Sequence, residues 1–301
     1  MEEDWKTSGE LVRQAFTRIE ESYANDRAWP AGLPAGLSDF DDHFGGWARG
    51  GLSVVGGRPG AGKSSLLRTA LLHAATSLRH PTAYVTLEER ALDATDRLLT
   101  TCAGVPYRTV RAAELDEWQW AHLIRAAGRV AEAPIFFIDT PGLTIDDLER
   151  RVCTLVEEEG LKAIFIDSLY GIEGSREDAE RGDAVDEITR TLCRLAAAYD
   201  LVIVVAVHIE EGAELRPDKE PFPAELRHNQ FVEDRADLIC LLHRRPRRQA
   251  SREVGDPVHV AVSKHPRGDL GRIVLRFDTE IGRFLCSDPD EEERLVAVME
   301  G

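Results

Sequence analysis

Apolar and polar positions follow two different periods along this chain. From residue 50 onward, near-continuous apolar runs recur: LSVVGG (52–57), TAYVTL (82–87), APIFFID (133–139), KAIFID (162–167) and DLVIVVAV (200–207). Between them, at 63–78, 91–103, 116–131, 144–159 and 183–198, apolar residues return every three or four positions. The first pattern is that of strands covered on both faces, the second that of amphipathic helices. Their alternation predicts an α/β fold with a mostly parallel central sheet and helices on both faces. After residue 236 the texture changes. DLICLLH, PVHVAVSKH, GRIVLRF and GRFLCS are short strand candidates with turn residues between them, and they predict an antiparallel extension of the sheet.

The flanks are patterned differently. Val12, Phe16, Ile19 and Tyr23 recur at spacings of four, three and four, so a helix over 9–24 carries one apolar face. A lone short helix is marginal in water, so the stripe must pack on its own domain or on another subunit. RAWPAGLPAGL reads as a linker, and the tail DPDEEERLVAVMEG is acidic. The chain is therefore expected to divide into residues 1–28, a core over 29–287 and a tail over 288–301.

Composition narrows the classes. With 301 residues the chain can bury one large core. A formal net charge of −17 argues against a broad basic surface for duplex DNA, but not against a locally basic channel. Five cysteines without a C-x-x-C pair fit reduced structural thiols. LVIVVAVHI is too short for a membrane span, and the acidic N-terminus has no signal-peptide pattern, so a cytoplasmic protein is expected.

The chemistry begins at GGRPGAGKSS, residues 56–65, which contains G-x-x-x-x-G-K-S from Gly57 to Ser64. A strand, a glycine-rich turn and a helix start aim backbone N–H groups at one point, and the helix N-terminus favours an anion there. Lys63 reaches β- and γ-phosphates, and the Ser64 hydroxyl can ligate Mg²⁺. The flanking LSVV and SLLRTALLHAATSL supply the strand and helix that this motif needs, so the stretch is read as a nucleotide site. Three other strand ends fall on the same sheet edge. KAIFID ends in Asp167, suited to Mg²⁺; TAYVTL is followed by Glu88 and Glu89, one of which could activate water; DLVIVVAV is followed by His208.

These motifs, together with AAGRVAEAPIFFIDTPGLTIDDL and IFIDSLYGI, resemble the C-terminal ATPase domain of DnaB-type replicative helicases, a RecA-like fold. The similarity runs from about Trp29 to Leu285. It implies ATP and Mg²⁺ as cofactors, Glu88 as the catalytic glutamate and Asp167 with Ser64 as the Mg²⁺ site. Nucleotide contacts are then expected from Gly57, Arg58, Pro59, Gly60, Ala61, Gly62, Lys63, Ser64, Ser65 and Arg97. The helix at 9–24 is similar to the family's linker helix, which docks on the next subunit of a hexameric ring.

The departures from the family pattern are specific. The primase-binding N-terminal domain is not expected, since only 28 residues precede the core. His208 stands where the family senses the γ-phosphate with glutamine. The family's K-x-R before glycine is SKHPRG here, so Lys264 matches and Arg267 is displaced by one. The DNA-gripping loop corresponds to ELRHNQ (225–230), with Arg227, His228 and Gln230 as candidate DNA contacts. Arg176 and Arg181 are basic candidates in a second inward loop. The resemblance implies a ring-forming, ATP-driven translocase or helicase on single-stranded DNA, with a separate loader or primase-type protein as a candidate partner. The alternatives are a KaiC-like regulatory or assembly ATPase, favoured by the Glu88–Glu89 pair, and a remnant that only binds nucleotide.

Overall fold

The computed structural model describes residues 7–24, 32–175, 180–209, 221–226, 229–244, 255–266 and 268–287. Its strands are β1 (Gly51–Gly57), β2 (Thr82–Thr86), β3 (Ile135–Ile138), β4 (Ala163–Asp167), β5 (Val202–His208), β6 (Leu238–Arg244), β7 (Asp256–Lys264), β8 (Gly271–Asp278) and β9 (Arg283–Leu285). The helices are α1 (Ser8–Ala24), α2 (Ser38–Phe44), α3 (Lys63–Leu72), α4 (Ala91–Ala103), α5 (Tyr107–Ala112), α6 (Glu117–Ala131), α7 (Ile145–Glu159), α8 (Arg181–Tyr199) and α9 (Asn229–Arg235).

All the strands join one sheet in the order β3-β2-β4-β5-β1-β6-β7-β8-β9. β1 lies between β5 and β6 and is parallel to both, with Gly57 opposite His208 on one side and Leu242 on the other. Successive side chains of a strand face opposite sides. Val55 therefore packs with Leu66, Leu67, Tyr84 and Phe165, under α3. Val54 packs with Leu148, Ile188 and Leu192, under α7 and α8. Both faces of the parallel core are thus covered, which is why its strands read as unbroken apolar runs.

Three features differ from the sequence pattern. The strand DLICLLH, expected with the antiparallel group, is parallel to β1; the antiparallel extension starts with β7. An apolar run carries no information about strand direction, and here α9 returns the chain to the edge where β6 must start. The presumed linker belongs to the core from Gly32 onward. Leu33 and Trp47 exchange backbone hydrogen bonds of 3.0 and 2.8 Å, and the Asp41 carboxylate accepts from the N–H groups of Ala35, Gly36 and Leu37. Burial nevertheless pushes Asp41 up to about 6. The helix expected over 63–78 is α only to Leu72 and closes in a π-type turn, His73–Ser77.

α1 begins with a reciprocal cap between Thr7 and Glu10. Its apolar stripe stays uncovered: Leu11, Val12, Phe16 and Ile19 are each roughly half exposed. Among the described residues no helix is long and apolar enough to cross a membrane.

Candidate active site

The turn after β1 sets the geometry of the site. Gly60 and Gly62 have φ of 77° and 102°, backbone that side-chain-bearing residues rarely adopt. At Gly62 an added Cβ would also stand 2.9 Å from the Phe284 ring, so this position has no room for a side chain. The turn delivers Lys63 as the first residue of α3. Its buried ammonium donates to the carbonyls of Gly57 (2.8 Å) and Arg58 (3.2 Å), folded back into the loop. Burial lowers its pKa, and the nearby Asp167 and Glu88 carboxylates oppose that shift. From the far side Arg244, at the end of β6, donates to the Gly60 carbonyl (3.1 Å) while paired with Asp256.

Asp167 lies at the end of β4, paired in register with Thr86 at the end of β2. It is buried, and the Tyr84 hydroxyl donates to it at 3.3 Å. Burial raises its pKa, while a hydrogen bond from Ser64 and the charge of Arg68 pull it back. Ser64, Asp167 and Lys63 thus form one polar cluster at the mouth of the glycine-rich loop over residues 57–64, the P-loop.

Glu88 and Glu89, adjacent in sequence, face different neighbours. Glu88 Oε1 accepts from the Ser168 hydroxyl (2.7 Å) and lies 3.0 Å from His208 Nε2. The His208 hydrogen bond, then that of Ser168, outweighs burial and holds this carboxyl down to about 2. Tyr170 stacks on the His208 ring, with centroids 5.9 Å apart. Glu89 is clamped instead by Arg68 (3.1 Å) and Arg97 (2.9 Å). Arg97 lies over the Tyr107 ring, 4.6 Å from its centroid, in the wall of a cleft of about 440 Å³ that opens beside Ser65. Donor set and cradle suit a nucleotide with a divalent cation. The cation would be shared by a hydroxyl, one carboxylate and phosphate oxygens rather than enclosed by protein ligands.

The sequence profile of the DnaB-like helicase C terminal domain matches residues 32–285. The chain belongs to this family. Over 287 residues it is 28% identical to the replicative DNA helicase DnaB of Leifsonia xyli, covering 95% of this chain and 63% of that protein. It is 27% identical to the replicative DNA helicase DnaC of Bacillus subtilis, covering 92% and 61%. The chain therefore spans less than two thirds of the length of these relatives. Among solved structures, an isolated ATPase domain superposes with a TM-score of 0.84 at 23% identity, covering 95% of this chain and all of that one. A DnaB-like replicative helicase studied for its interactions with primase gives 0.82, also at 23%, covering 95% and 68%. Both likenesses concern the fold, which is RecA-like with an antiparallel C-terminal extension.

Against the expectations for this DnaB-like domain, the structure gathers Lys63, Ser64, Glu88, Asp167 and His208 at one sheet edge. Arg97 joins them through Glu89. Lys264 does not: β7 runs antiparallel, so its last residue pairs with Ile239 at the opposite end of β6. There its ammonium donates to the carbonyls of Glu233 (2.7 Å) and Asp234 (3.0 Å), capping α9. Next to it, buried His265 bonds the Phe44 carbonyl at 2.9 Å. Gln230, expected in a loop, sits exposed in the first turn of α9. Arg227, His228, Arg267 and Arg176 lie outside the described residues. Arg181 is committed to the carbonyls of Ile172 and Tyr170. Tyr84, Ser168, Tyr170 and Arg244 were not anticipated. Only Tyr84 carried a signal, since a tyrosine in a buried strand needs a partner for its hydroxyl.

Proposed function

We propose that this chain is the motor domain of a ring-forming helicase or translocase that hydrolyses ATP and moves on single-stranded DNA. The observation that carries the reading is the convergence of the Lys63–Ser64–Asp167 cluster and the Glu88–His208 pair on one P-loop. Lys63 and the loop N–H groups hold the β- and γ-phosphates. Ser64 and Asp167 would hold Mg²⁺, which would offset phosphate charge. The sugar and base lie in the cleft beside Arg97 and Tyr107. Glu88, ionised through the neutral range, orients the attacking water and accepts its proton. His208 and Ser168 fix that carboxylate, and His208, which stands where the family pattern has glutamine, would donate to the γ-phosphate by turning its Nε2–H away from Glu88.

Lys264 stands too far round the sheet to serve its own P-loop, so it acts on the site of the adjacent subunit, with Arg267 close behind it in sequence. α1 docks its apolar stripe on a neighbouring copy. Arg227, His228 and Gln230 track the DNA backbone inside the ring. A separate loader or primase-type protein completes the assembly. The clamp on Glu89 weakens the regulatory alternative, since the second glutamate of the pair is engaged structurally.

The deciding experiment measures Mg²⁺-dependent ATP turnover with and without single-stranded DNA, together with assembly mass in nucleotide. Turnover that rises with DNA in a multimeric species is expected. A monomer whose turnover ignores DNA overturns the reading.

A further inference from the structure

Behind the nucleotide cleft, across α3 and α4, lies a second cavity of about 290 Å³. Its wall includes His73 and Ser77 of the π-type turn, Thr101 and Cys102 of α4, Arg129 of α6 and Arg283 of β9. In a chain of net charge −17, this lining contains two arginines and no acidic residue. Neither arginine has an acidic partner among the described residues. Arg129 spends one Nη2–H on the Cys102 carbonyl (3.2 Å), while its buried Nε has no hydrogen-bond partner. Both guanidinium charges reach the Cys102 thiol, where they oppose the upward push of burial. Arg129, Arg283 and Cys102 line this one cavity.

We propose that this cavity is an anion site for a small phosphate-bearing molecule whose phosphoryl oxygens are held by Arg129 and Arg283. Guanidinium forks match phosphate oxygens, and two of them facing one cavity supply the charge that a dianion requires. The hydroxyl of Ser77 is an additional donor. The volume exceeds that of a phosphate alone, leaving space for a compact organic group. The site is separate from the P-loop, yet it shares walls with α3, which starts at Lys63, and with α4, which carries Arg97. An occupant would brace the far end of the P-loop helix.

Cys102 provides a local readout. The protein is saturated with a non-hydrolysable ATP analogue and Mg²⁺, so that added phosphate cannot report on the P-loop. Alkylation of Cys102 is then followed by peptide mass spectrometry against rising inorganic phosphate or ribose 5-phosphate, with chloride at matched ionic strength as reference. Saturable protection of at least about fivefold is expected from the phosphate compounds. The same half-protecting concentration for both assigns the site to free phosphate, and a lower one for ribose 5-phosphate assigns it to a phosphorylated organic molecule. Arg283→Gln should raise that concentration at least about tenfold, and Arg283→Lys should raise it less. Arg129→Gln is the companion variant, but it also removes a bond to α4, so Arg283 on its edge strand gives the cleaner result. Protection no greater than with chloride, or undiminished in Arg283→Gln, overturns the proposal.

Discussion

Glu88 and Glu89 are chemically the same residue, and what distinguishes them is what surrounds each. Glu88 is held on one oxygen by Ser168 and His208, whereas Glu89 is spread between two arginines. Glu88→Gln should keep ATP affinity and lose about 10²–10⁴-fold in turnover, because the amide cannot accept the proton. Glu89→Gln should act mainly on nucleotide affinity, by loosening Arg68 and Arg97. Steady-state kinetics with a binding isotherm separate the two, and the reverse pattern would reassign the base. Lys63→Ala should lower turnover by at least about 10²-fold, through loss of the main protein cation at the phosphates. The hydrogen bonds on Glu88 also predict a pH effect on stability. Its carboxyl is depressed from the usual 4.5 to about 2 in the fold. Its contribution is thus complete above about pH 4.5 and lost as pH falls toward 2. Urea midpoints at pH 5 and pH 3 should fall further apart in the parent than in Glu88→Gln.

At the scale of elements, the chain announces what is local and conceals what is assembled. The P-loop was legible because strand, turn and helix start are contiguous, and Gly60 and Gly62 there take left-handed backbone. The apolar runs marked β1 to β5, since strands buried on both faces leave no polar interruption. α2 and α5 were missed because six or seven residues are too few to establish a period. The direction of β6 and the insertion of residues 32–37 into the core depend on tertiary pairing with β1 and Trp47. Ser168 and Tyr170 directly follow Asp167, but their partners Glu88 and His208, like the Gly60 partner of Arg244, come from segments distant in sequence, so no spacing could reveal these contacts. α1 was legible as an amphipathic helix, but not where its stripe goes. Deleting residues 1–28 should leave a folded domain that binds nucleotide with unchanged affinity but no longer assembles. Analytical ultracentrifugation checks this, and equal assembly at equal concentration would remove α1 from the docking role.

At the scale of the whole molecule, the reversal of direction at β7 places Lys264 at the edge of the sheet remote from the P-loop. In the proposed assembly each subunit would then offer an intact phosphate cradle at one edge and Lys264 at the other. Lys264→Ala should therefore depress turnover in the assembly while hardly altering ATP affinity. Mixed with Lys63→Ala subunits, it should regain part of the lost activity at interfaces that pair one intact cradle with one intact lysine. Mixtures no more active than the sum of their parts would return Lys264 to its role as the cap of α9.

If Lys264 acts across a junction as proposed, catalysis becomes a count of junctions. A closed circle of copies has as many junctions as members, but an open arc has one fewer, and its end member keeps a cradle that no neighbour serves. Opening the circle to admit a strand would therefore silence one cradle, and closing it again would restore that cradle. The assembly's ATP consumption would thus report whether the circle is shut, with no separate sensor built into the chain.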